Sequence, residues 1–173
     1  MPLHLRLVQA SRHDSVSAVF TLTEFRDLNP ELTINSFISD SASDNYATYK
    51  LLNHWDINAI IALGKSNDGN FKYPPALNLD DSGTPICPSG RKMLWNGFCK
   101  GRSRIKWRCP KACGKVVTDC SNCSPSKYGR TVYTKPDWDL RLFTVIPRSS
   151  AAWKGKMKSR TAAERVNNRI LHD

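Results

Sequence analysis

The stretch Thr33-Ile34-Asn35-Ser36-Phe37-Ile38-Ser39-Asp40-Ser41-Ala42-Ser43-Asp44-Asn45-Tyr46 decides how the rest of the chain is read. Ile34, Phe37 and Ile38 supply the β-branched and aromatic character of a buried strand, and the small residues after them lead into a helix that Ser43 or Asp44 can cap. Asp40 is thereby placed at the C-terminal end of a strand. In open α/β sheets that edge faces a crevice and is held by a rigid scaffold, so ligand-binding and catalytic groups collect there. The same residues admit a plainer reading, in which Asp40 only starts a turn and Asp44 only caps a helix.

Working outward, the flanking segments alternate strand and helix. Leu3, Leu5 and Leu7 alternate with His4 and Arg6, the period of a half-buried strand. Val16, Val19, Phe20, Leu22, Phe25 and Leu28 recur at helical steps, with a cap near Asp14 or Ser15 and a stop at Asn29-Pro30. Beyond Asp40, a stripe of Tyr46, Tyr49, Leu52 and Trp55 predicts a second helix whose stripe faces the core. Ala59-Ile60-Ile61-Ala62-Leu63 is wholly apolar, as in a central parallel strand. The order strand, helix, strand, helix, strand predicts an α/β layer with parallel strands and right-handed crossovers.

Periodicity then fades. Residues 66–127 are rich in Gly, Pro, Asn, Asp, basic residues and cysteines, and are expected to form an insertion with little core of its own, following a first segment of the core at residues 1–65. Short strands are expected at Lys92-Met93-Leu94-Trp95 and Arg104-Ile105-Lys106-Trp107-Arg108. The second would set Arg104, Lys106 and Arg108 on one face, suited to a phosphate backbone or simply to guarding a solvated edge. Residues 128–173 are expected to return to the core, with strands at 128–134 and 141–146 and helices at 149–157 and 161–171. On the last helix Arg160, Glu164 and Asn168 share a face; Thr161-x-x-Glu164 also has the form of a capping box.

Charge divides the chain. Residues 1–90 carry 6 Lys/Arg and 10 Asp/Glu, a net −4, whereas residues 91–173 carry 20 and 5, a net +15. A basic half of this size suits a polyanion, most simply nucleic acid, because bound phosphates release their counterions. No apolar run approaches the ~20 residues of a membrane span, and the N-terminus does not have the form of a secretory signal, so a cytoplasmic protein without a membrane partner is expected. Without a signal, the six cysteines (Cys87, Cys99, Cys109, Cys113, Cys120, Cys123) are read as thiols or metal thiolates. Cys109, Cys113, Cys120 and Cys123 could supply four tetrahedral zinc ligands, although the spacing is looser than two paired C-x-x-C knuckles.

Ile38-Ser39-Asp40-Ser41-Ala42-Ser43-Asp44-Asn45-Tyr46, Tyr128-Gly129-Arg130, Asp139-Leu140-Arg141-Leu142-Phe143, Ile146-Pro147-Arg148 and Arg160-Thr161-Ala162-Ala163-Glu164-Arg165-Val166-Asn167-Asn168-Arg169 together resemble the DDE transposases of bacterial insertion sequences. The Arg-Thr-x-x-Glu-Arg-x-Asn-x-Arg ending is the most specific part. The resemblance implies a ribonuclease H-like α/β fold with a Cys-rich insertion, incomplete at its N-terminus. It matches Asp40 to the family's second acid, with Asp44 as the fallback, and Glu164 to the third. The family's first Asp belongs on an earlier strand and has no match here; Asp14 opens a helix and does not replace it.

The resemblance further implies Mg²⁺ or Mn²⁺ held by Asp40 and Glu164, since these hard ions take oxygen ligands. It implies double-stranded DNA as partner, multimers of the chain, and phosphodiester cleavage and strand transfer weakened by the unmatched acid. Lys154, Lys156, Lys158, Arg160, Arg165 and Arg169 would hold DNA phosphates near the acids. Two other readings stand beside it: a zinc-stabilised nucleic-acid-binding module without catalysis, organised around the cysteines and the basic half, and a phosphodiesterase-type nuclease that shares the acids and lacks the transfer step.

Overall fold

Asn29 and Pro30 close the first helix as the sequence predicts. Helix α1 spans Asp14–Leu28, and both the backbone and the side-chain amide of Asn29 donate to the Phe25 carbonyl, satisfying the last turn. The computed structural model describes residues 14–64, 74–115, 124–162, 165 and 169. The expected strand at Leu3 to Val8 lies outside them, as do Glu164, Cys120 and Cys123. The chain is of mixed α/β class with small sheets, and it divides into two compact units: residues 1–67 with 154–173, and residues 68–153.

In the first unit, β1 (Ser36–Ser39) and β2 (Asn58–Ile61) pair in parallel, with Ser36 opposite Asn58 and Ser39 opposite Ile61. Helix α2 (Tyr46–His54) makes the connection, as a parallel pair requires. Ile60 and Ile61 are fully buried and β1 is half-buried, so β2 is the more interior strand. The aromatic stripe of α2 is split. Tyr49 and Leu52 enter the core, whereas Tyr46 stays exposed beneath Lys50, and Trp55 lies under the guanidinium of Arg26 from α1. The α2 cap is neither Ser43 nor Asp44: Asn45 accepts the Thr48 N–H, and residues 41–43 wind instead into a single 3₁₀ turn capped by Asp40.

The second unit departs from the expected domain plan. Residues 66–127 were expected to lack a core and residues 128–173 to rejoin the first segment. Instead β3 (Leu94–Cys99), β4 (Arg104–Arg108) and β5 (Thr131–Thr134) form one antiparallel sheet in the order β3-β4-β5. The sheet has its own core of Cys87, Met93, Ile105, Trp107 and Phe143, closed by Leu79, Val132, Trp138 and Leu142. Residues 128–153 therefore belong with this unit. Trp107 is the centre of that core, and its indole N–H donates to Thr134 Oγ1 at 2.9 Å, so the polar atom carried inside with the ring is satisfied.

The strand expected at 141–146 does not form. The Asp139 carboxylate accepts the N–H groups of Arg141 and Leu142, and Phe143 N–H donates to the Asp139 carbonyl. Those donors are satisfied within the turn, and the apolar residues reach the core from an irregular segment. Gly83 and Gly129 show why the loops are tight. Both have positive φ, and a Cβ would stand 2.7 Å from Leu142 at the first and 2.5 Å from Ala112 at the second. After the 141–146 segment, Ser150 caps α3 (Ala151–Lys158) by accepting the Trp153 N–H.

Candidate functional site

Asp40 emerges where β1 stops. Its Oδ1 accepts the Ala42 N–H at 3.0 Å, fixing the carboxylate over the 3₁₀ turn, while the side chain keeps 56% of its surface exposed. It is thus an oriented anion open to solvent at the C-terminal edge of a parallel pair, the edge where α/β sheets bind ligands.

Asp44, the fallback acid, has a different environment. It is buried, accepts the Tyr49 hydroxyl at 2.9 Å, and takes the Gly64 N–H from the loop after β2. Asp44 ties the α2 end to the loop after β2. It is a buried scaffold group, and the structure separates the two acids by burial.

The basic residues of the α3 region fall into two sets. Lys156 donates to Ser36 Oγ at 3.0 Å at the start of β1, and Arg160 Nη1 lies 3.8 Å from Asp40 Oδ2 just past its end. Lys156, in the last turn of α3, thus reaches the start of β1, and Arg160, past the turn at Ser159, reaches its far end. From Lys156 to Arg160 the contacts therefore advance along β1 toward the edge where Asp40 sits. Residues 160–162, 165 and 169 are helical, while the position of Glu164 lies outside the described residues. Lys154, Lys158, Arg165 and Arg169 are exposed. The Arg160–Asp40 contact is too long for a direct hydrogen bond and both groups are open to water, so it is a weak pair that a competing ligand can displace.

In the second unit, β4 alternates as expected: Ile105 and Trp107 are buried, and Arg104, Lys106 and Arg108 share the opposite face. Two tyrosines that sequence reasoning did not assign share that face. The Arg104 guanidinium lies 3.9 Å from the Tyr133 ring centroid and that of Arg108 lies 3.7 Å from Tyr128. Lys106 Nζ lies 2.6 Å from the Tyr128 hydroxyl. The Lys106 hydrogen bond, reinforced by Lys106 and Arg108 charge, outweighs desolvation and holds the Tyr128 phenol below its ordinary pKa. The signal that could have found Tyr133 was its period-two placement in Thr131-Val132-Tyr133-Thr134, which sets it opposite Lys106.

Cys109 and Cys113 lie on the turn that follows β4; Cys109 is buried and Cys113 half-buried. Cys109 lines a cavity of about 540 Å³ together with Ser124 and Gly129. Among the described residues no group of three or more His, Cys, Asp or Glu converges as a metal site, and no helix is long and apolar enough to cross a membrane. No family model, curated protein or solved structure matches the chain.

Proposed function

We propose that this chain is part of the catalytic region of a DDE transposase, with a ribonuclease H-like fold, acting on double-stranded DNA. The reading rests on the resemblance of the Asp40 and Glu164 motifs. The single observation that carries it is the approach of Arg160, four residues before Glu164, to Asp40 at the open end of β1. That contact is what a site built from Asp40 and Glu164 requires of the intervening chain.

The donor set suits the divalent ion that the family implies. Asp40 offers an exposed carboxylate of the hard oxygen type that Mg²⁺ and Mn²⁺ prefer, and Glu164 would supply the other protein ligand. Such an ion, when bound, stabilises charge gathering on a reacting phosphodiester. The chain's own groups orient and attract: the Ala42 N–H fixes Asp40, Arg160 adds positive charge at that edge, and the exposed Lys154 and Lys158 of α3 would add to the field that draws phosphate oxygens. Only two of the family's three acids are matched, so weak ion binding and little strand transfer by this chain alone are expected.

Duplex-DNA affinity measured with and without Ca²⁺, which can support binding without chemistry, tests the reading. The unaltered chain should bind about tenfold more tightly with the ion, a difference of about 1.4 kcal/mol. Asp40→Asn should bind equally with and without it. An ion effect of the same size in Asp40→Asn would remove the basis of the proposal.

A further inference from the structure

We infer that the outer face of the β3-β4-β5 sheet is a second DNA-contacting surface, a sequence-independent phosphate cradle in which Tyr128 and Tyr133 hold Arg104, Lys106 and Arg108 in register. The inference rests on the DNA reading above and adds to it a site remote in sequence from both acids.

The charge around β4 has one sign. From Arg91 to Lys115 the chain has nine Lys/Arg and no Asp or Glu. Among the described residues no carboxylate pairs with Arg104, Lys106 or Arg108. A protective charged edge needs only scattered cations, and β4 is not an edge: it pairs with β3 on one side and β5 on the other. Three uncompensated cations on a central strand repel one another, a cost that an external polyanion would relieve.

Geometry supplies the second step. Alternate residues of one strand stand roughly 7 Å apart, so the three cations form a row along β4 rather than a cluster around a point. A row fits an extended run of phosphates better than a single small anion. The tyrosines limit the cations' freedom. Each guanidinium is stacked on a ring at 3.7 to 3.9 Å, and Lys106 is anchored at the Tyr128 hydroxyl. Arg108 also donates to the Tyr128 carbonyl, and the Nε–H groups of Arg104 and Arg108 are turned in from solvent without a partner in the protein, so a phosphate would meet the guanidinium Nη groups. Stacking on a half-exposed ring leaves the outer side of a guanidinium open while lowering the entropy lost on binding. The tyrosine faces beneath the guanidiniums are already covered, so the surface reads backbone charge and not base identity.

The test is the salt dependence of duplex-DNA binding by the full chain carrying Arg104→Gln, Lys106→Gln and Arg108→Gln together. Each lost phosphate contact should lower the slope of log K against log salt by about 0.9, so the triple variant should lose 2 to 3 units of slope and bind at least tenfold more weakly near 0.1 M salt. Acetylation of Lys106 in the unaltered chain, followed by mass spectrometry, gives a readout independent of folding of the variant: DNA should protect this lysine. An unchanged slope in a folded triple variant overturns the inference, as does acetylation of Lys106 unaffected by DNA. Loss of binding to anionic phospholipid vesicles with DNA binding unchanged would assign the face to a membrane surface and equally overturn it. The slope is measured without divalent ions, whereas the carboxylate reading is tested by the Ca²⁺ effect at Asp40, so failure of the carboxylate reading and failure of the sheet surface are distinguishable.

Discussion

At the scale of single residues, two aspartates four positions apart are given opposite tasks by their surroundings. Asp40 makes one backbone hydrogen bond and faces water, whereas Asp44 is buried between the Tyr49 hydroxyl and the Gly64 N–H. Removing a buried charge-assisted partner leaves donors unsatisfied, so Asp44→Ala should lower unfolding free energy by about 2–3 kcal/mol. Asp40→Ala, at an exposed turn, should cost no more than about 1 kcal/mol. Urea denaturation of the two variants checks this contrast, and equal losses would contradict it. The sequence made Asp40 legible because a strand-like run ended on it. The role of Asp44 was not legible, because its partner Gly64 lies 20 residues away on the loop after β2 and becomes a neighbour only through the parallel pairing.

At the scale of elements, pattern was readable wherever one face is buried and the other wet. The strand at Arg104–Arg108 follows its periodicity closely, whereas the helices at Asp14–Leu28 and Tyr46–His54 form where expected but leave Val16, Phe20, Leu28 and Tyr46 of their apolar stripes exposed. The segment 141–146 has strand composition and fails because a local competitor, the Asp139 carboxylate, takes the backbone donors that a sheet partner would need. A second such turn begins at Asp80, whose Oδ1 accepts from the Ser82 and Thr84 N–H groups while Oδ2 pairs with Lys92 at 2.7 Å. Burial pushes the Asp80 carboxyl up, but the combined bonds from Lys92, Ser82 and Thr84 outweigh it and hold the pKa below the ordinary value. A depressed folded pKa means that this carboxylate's stabilisation is complete above the unfolded value of about 3.9 and is lost as pH falls through the folded one. Asp80→Asn should therefore flatten the acid limb of the stability profile below about pH 4 relative to the unaltered chain. An unchanged acid limb would show that the Asp80 turn does not contribute there.

At the scale of the whole molecule, the uneven charge of the sequence is carried into distinct surfaces. The acidic first half contributes the strand end bearing Asp40. The basic second half contributes the tyrosine-backed row on β4 and the cations of the α3 region. The division into units was less readable than the motifs, because the core of residues 74–153 is assembled from scattered apolar residues such as Cys87, Met93, Trp107 and Phe143 rather than from one long periodic run. Composition suggested a loose insertion; the pairing of β4 with β5 shows a sheet with a core on one side. The most direct test of the central claim, that Asp40 and Glu164 serve one divalent site, is Mn²⁺ binding followed by electron paramagnetic resonance in the unaltered chain, Asp40→Asn, Glu164→Gln and the double variant. If the two carboxylates share an ion, each single change should weaken binding by about tenfold or more, and the double variant should be little worse than either, because the first loss already dismantles the site. Independent, additive losses, or Mn²⁺ binding indifferent to both residues, would contradict the account.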